Sequence, residues 1–137
     1  MRGAFAILTI VAAPPTFSLE WITVVDDAEV LISIDRESVQ RTEHGVKAWF
    51  LWEYPEPNEI QNVPGKRYRS ATYQFYVNCE ERRSAMNRAA YYPSLRAQGA
   101  VAYVWSARKL EFTDNAPGTR GEAMTSAACS ISRTNLE

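Results

Sequence analysis

Read with period two, residues 46–54, "VKAWFLWEY", place Val46, Ala48, Phe50, Trp52 and Tyr54 on one face of a strand. Lys47, Trp49, Leu51 and Glu53 fall on the other. Both faces are mostly apolar. A strand with one wet face alternates cleanly, whereas one covered on both sides need not. The pattern therefore asks what covers the second face. Upstream, "EWITVV" (20–25) reads as a first strand, and "EVLISIDRESV" (29–39) alternates Val30, Ile32 and Ile34 against Leu31, Ser33 and Asp35. "RTEHG", closing on Gly45, predicts a tight hairpin into the Val46 strand. "PEPNEIQNVPGK" (55–66), with Pro55, Pro57, Pro64 and Gly65, reads as a loop. Residues 67–79 alternate again, with Ala71, Tyr73, Phe75, Val77 and Cys79 on one face and Ser70, Thr72, Gln74, Tyr76 and Asn78 on the other. "AVAYVWSA" (100–107) reads as a strand and "TDNAPG" (113–118) as a loop.

Two stretches leave the two-residue period. "EERRSAMNRAAYYP" (80–93) is rich in Glu, Arg, Ala and Met, and its propensity alone favours a helix. At 119–122, "TRGE" spaces Thr119 and Glu122 as a capping box, in which the hydroxyl takes one orphan N–H and the carboxylate reaches back to another. The box predicts a short helix over about 119–129, with Met124, Ala127 and Ala128 as its apolar stripe. A helix of that length covers part of one face of a sheet.

The 137 residues fit one domain, and 46% apolar with 23% charged residues is an ordinary globular balance. The net charge of -1 argues against a general polyanion binder. The charge is uneven: 4 basic and 10 acidic residues over 1–60 give -6, while 9 basic and 2 acidic over 61–110 give +7. Either a basic binding surface or opposite charges paired across strands accounts for this.

The N-terminus has the layout of a secretory signal peptide: Arg2, an apolar core from Ala4 to Ala13, then Pro14, Pro15 and small or polar residues before a cut at Ser18/Leu19. That gives a signal peptide at 1–18 and a single domain at 19–137. A buried N-terminal strand, "FAILTIV", is the alternative. The core is far short of the ~20 apolar residues of a spanning helix, so no integral membrane span is expected. No cysteine near the cut offers a lipid-anchoring site. Cys79 and Cys129 are the two cysteines, and an even count in an exported chain reads as one disulfide. Closing a loop of about 50 residues is worth roughly 3–4 kcal/mol. A redox or metal pair competes with this, but there is no CxxC and His44 is the single histidine.

Candidate chemistry is sparse. His44 lies in a predicted turn, away from any nucleophile. Asp26 with Asp27, and Glu80 with Glu81, are sequence neighbours that point apart in a strand. No phosphate loop, dinucleotide fingerprint or zinc spacing occurs. The expectation is a non-enzymatic protein with no cofactor and no metal. Four Trp and seven Tyr near Arg67, Arg69, Arg82, Arg83 and Arg88 could stack on single-stranded nucleic acid. The matching sheet motif is absent and export argues against it, so no nucleic-acid partner is expected. Core and interface packing is the plainer use of these rings.

The order Trp21, "SID" ending at Asp35, "SV" (38–39), "VKAWFLWEY", "YRS" (68–70), Cys79, "YY" (91–92), "PGT" (117–119) with Glu122, and Cys129 resembles the bacterial surface-adhesin protein E family. The resemblance spans about residues 20–130. It implies an α+β fold: a curved antiparallel sheet of about six strands with one C-terminal helix packed on it and one disulfide joining the two. It also implies that 80–92 is a strand, against propensity. It implies an exported protein in the periplasm or at the outer cell surface, whose partner is a host matrix protein or an envelope protein. A periplasmic accessory role without a host ligand is the alternative. Trp49, Trp52, Tyr54 and Tyr76 are the candidate interface residues. One face of the Val46 strand is expected under the helix, and loops or a second copy, as a homodimer, over the other.

Overall fold

The computed structural model describes residues 20–135 together with Gly3, Ala4 and Ala6. The proposed signal peptide otherwise lies outside the described residues. Eight strands form one antiparallel sheet: β1 (Trp21–Asp26), β2 (Leu31–Asp35), β3 (Gln40–Thr42), β4 (Gly45–Glu59), β5 (Arg67–Asn78), β6 (Arg83–Tyr92), β7 (Tyr103–Ser106) and β8 (Thr113–Asp114). The main path runs β1-β2-β4-β5-β6-β7, with β3 on β4 and β8 on β6. The one α-helix among the described residues, α1 (Arg120–Thr134), follows. The six-strand α+β expectation matches the main path.

Sequence alternation sets the two faces. Ile32 and Ile34 on β2, Ala48 and Phe50 on β4, and Ala71 and Val77 on β5 are at most 1% exposed. Most of this set joins Met124, Ala128 and Cys129 of α1 in one core. Cys79, at the end of β5, is bonded to Cys129, with the two Cα atoms 5.8 Å apart. Burying Phe50 alone is worth about 1.5–3 kcal/mol. The helix starts where the box predicts: the Glu122 N–H donates to Thr119 Oγ1 at 3.3 Å, while Glu122 Oε2 accepts from the Gly118 N–H at 2.6 Å. The return bond thus lands one residue before the cap. Arg120 ties this end to the β1–β2 turn, 3.2 Å from Asp27 Oδ2 and 2.8 Å from Glu29 Oε2. Asp27 Oδ1 also accepts from the N–H groups of Glu29 and Val30. These two bonds, then Arg120, hold its carboxyl below the ordinary carboxylate range.

Sequence expectations need correction at β4 and at the end of α1. β4 does not stop at Pro55 but runs to Glu59. The β2–β4 ladder ends at Glu53, opposite Leu31, the first residue of β2, and the β4–β5 register shifts between Glu53 and Asn58, so Pro55 and Pro57 sit where the ladder needs no donor. Arg69 Nη2 donates to the Pro55 carbonyl at 2.8 Å. Residues 83–92 are a strand, as the resemblance implied and propensity did not; pairing with β5 on one side and β7 and β8 on the other outweighs it. The helix also outruns its predicted end at Cys129 by a turn, because Ser132 is buried against Arg41 Nε at 3.3 Å.

Gly45 ends the β3–β4 turn at a φ of 118°, and a Cβ there would meet the Val77 carbonyl oxygen at 2.5 Å. Only glycine fits both constraints. His44, in this turn, is an exposed side chain 5.9 Å edge-on from the Tyr76 ring.

Candidate functional site

A helix is about 10–12 Å wide, so it covers roughly three residues of each strand it crosses. α1 therefore seals one half of its face and leaves the other. On that other half, the apolar positions of β4, β5, β6 and β7 become aromatic. Trp52 meets Tyr73 edge-to-face at 5.7 Å, Tyr54 meets Tyr68 at 5.5 Å, and Tyr68 meets Tyr91 at 4.8 Å. Tyr73 reaches Phe75 at 6.3 Å and Tyr91 at 5.9 Å, and Tyr91 reaches Tyr103 at 6.3 Å. Phe75 continues the run under the helix to Phe50 at 5.8 Å. The cross-strand register explains the contiguity: Trp52 lies opposite Ala71, Tyr73 opposite Ala89, and Tyr91 opposite Tyr103. Alanines beside large rings leave room for the rings to lean together.

These rings line a groove of about 560 Å³, rimmed by Asn58, Glu59 and Gln61. Past Phe75 and Met86 it adjoins a second groove of about 480 Å³, walled by Trp105, Arg108 and Lys109. Together they form an aromatic trough. Burial raises the hydroxyl pKa of Tyr73 well above the ordinary tyrosine value, and neighbouring Tyr91 adds to it. Tyr54 and Tyr91 are raised for the same first cause. These three are thus neutral hydrogen-bonding groups on a greasy floor. Trp52 Nε1 is buried with no hydrogen-bond partner among the described residues.

The four candidate interface residues divide between the faces. Trp52 and Tyr54 belong to the trough, on the face that carries α1. Trp49 and Tyr76 lie on the opposite face, by the alternation of β4 and β5. Part of that face is covered by the segment after β6. The Ser70 hydroxyl donates to the Ser94 carbonyl and accepts the Ala97 N–H at 2.9 Å, and the Arg96 N–H donates to Glu53 Oε2 at 3.1 Å. Leu51 is buried there, while Trp49 and Tyr76 remain half-buried. Trp21, Trp49 and Tyr92 border a further groove of about 370 Å³ beside Asp35. Asp35 itself is buried and caps the turn after β2, accepting the Glu37 N–H at 3.1 Å.

Tyr68, Tyr73, Tyr91 and Tyr103 belong to the trough and were not singled out by sequence. Alternation places Tyr73 on the inward face, but does not say which part of that face the helix leaves open. Comparing helix width with the length of the 67–79 alternation carries the missing signal.

Among the described residues, no group of three or more His, Cys, Asp or Glu side chains could hold a metal ion, and no helix is long and apolar enough to cross a membrane. The architecture is that of a small α+β domain: an open antiparallel sheet backed by one disulfide-held C-terminal helix, with an aromatic surface beside it. The chain belongs to the surface-adhesin protein E family, whose model matches residues 21–130. The crystal structure of protein E from non-typeable Haemophilus influenzae has a TM-score of 0.61 at 20% identity, over 91% of this chain and 90% of that one. A second crystal form of Haemophilus influenzae protein E gives 0.60 at 19% identity, over 87% and 94%. At this identity the likeness is one of fold. No curated protein matches the chain.

Proposed function

We propose that the chain is an exported, non-enzymatic protein-binding module that meets its partner through the aromatic trough. The observation that carries this reading is the unbroken run of rings on the part of the sheet face outside α1. Apolar patches of this kind mark interaction surfaces, and Tyr, Trp and Arg dominate their energetics. Family membership supports an adhesin-like role, with a host matrix protein or an envelope protein as partner. Trp49 and Tyr76, on the opposite face, are where a second copy would pack.

Protease shaving of intact source cells, with a periplasmic protein as control, tests the outward placement. Loss of this protein while the control survives supports it, and a panel of matrix proteins is then tested with wild type and with Tyr68→Ser. Weaker binding by the variant is expected. Survival until the envelope is broken places the protein in the periplasm as an accessory component and removes the host-binding role.

A further inference from the structure

The sheet ends differently on its two sides. β1 carries a register shift between Thr23 and Val25 and closes on Asp26, both of which discourage a stray strand from pairing. β7, "YVWS", has no charge, no proline and no register shift. The Ala107 N–H donates to the Asn87 carbonyl at 2.8 Å, in register with the pairs Ala89–Trp105 and Tyr91–Tyr103. By the alternation of an antiparallel ladder, the backbones of Tyr103 and Trp105 face β6, and the N–H and C=O groups of Val104 and Ser106 face outward. Among the described residues nothing pairs with them. The side chains there are exposed as well, Val104 at 62% and Trp105 at 38%. Arg108 and Lys109 follow the strand and wall the groove, while Arg88, opposite Ser106, falls on the other face. None of the three makes an ion pair among the described residues. Glu111 is the carboxylate lining the groove beside Arg108 and Lys109.

We propose that β7 is the docking edge for an extended, acidic segment of a partner protein, which adds a strand to the sheet. This rests on the binding-module reading above and gives the partner its chemistry. Main-chain bonds to Val104 and Ser106 hold the segment, and alternate side chains enter the groove beside Trp105. Its carboxylates pair with Arg108 and Lys109, which wall that groove and make no ion pair among the described residues.

The test uses a short fluorescein-labelled peptide that alternates valine with glutamate, titrated with the whole chain and read by anisotropy. A lysine counterpart and a proline-interrupted acidic version are run beside it. The acidic strand peptide is expected to bind on the order of tenfold more tightly than either. Val104→Pro blocks an outward N–H where an edge strand tolerates proline, and should weaken binding by about as much. Arg108→Glu with Lys109→Glu leaves the backbone alone; it should weaken the acidic peptide and favour the lysine one. Equal binding of the three peptides, or acidic binding indifferent to both variants, overturns the proposal. The module reading is judged separately: if a matrix protein binds Val104→Pro as it binds wild type but loses Tyr68→Ser, the edge fails and the trough stands.

Discussion

The face that carries α1 holds two regions with different solutions to one problem. Where the helix lies, the sheet presents compact aliphatic side chains and Phe50, sealed beneath Met124 and Ala128. Where it does not, the same strands present Trp52, Tyr54, Tyr68, Tyr73 and Tyr91, half-buried against each other. Aliphatic groups need a lid. Tyrosines shelter one another edge-to-face and carry a hydroxyl that can hydrogen-bond, so they hold a surface without one. One face thus serves as a core at one end and as a contact surface at the other.

The comparison breaks most sharply by truncation. Phe50→Ala, in the sealed region, should cost about 3–5 kcal/mol in urea unfolding, whereas Tyr68→Ala, in the trough, should cost only about 1 kcal/mol. Equal losses would mean that the trough is core. Cys79→Ala with Cys129→Ala opens a sequence separation of 50 residues and should cost roughly 3–4 kcal/mol, with the near-ultraviolet signal of the trough preserved after refolding. Thr119→Ala removes the cap and should cost about 1 kcal/mol by the same unfolding measurement.

Titration gives the smallest effects and separates the regions by charge. Tyr54, Tyr73 and Tyr91 have raised folded pKa values, so their contribution is complete below the unfolded tyrosine value of about 10 and is lost as pH climbs beyond it. Alkaline difference spectra should show these three ionising late, and Tyr73→Phe should remove part of the late step. Asp27 has the opposite sign: its depressed pKa contributes above the unfolded value and is lost as pH falls through the folded one. Asp27→Asn should flatten the acid limb of stability slightly.

The period-two pattern made most of the sheet legible, because inward and outward sets are fixed once a strand is recognised. Thr119 and Glu122 announced the helix for the same local reason. What stayed hidden depended on partners distant in sequence. The β6 segment looks helical until its ladders with β5 and β7 are known, and Pro55 looks like a stop until the β2–β4 ladder is seen to end at Glu53. The candidate site was half legible. Trp52 and Tyr54 were found as aromatics in one run, but the partners that make them a trough come from three other strands.

The element that seals the core is also the last described one in the chain, Arg120–Thr134. During synthesis β1 to β6 emerge with Ile32, Ile34 and Phe50 uncovered, and among the described residues no earlier segment substitutes for α1. Nascent chains therefore stay unsealed, open to chaperones and unable to complete their core, until α1 itself has been made. Chain order sets a clock on folding: the sheet is written first and locked last.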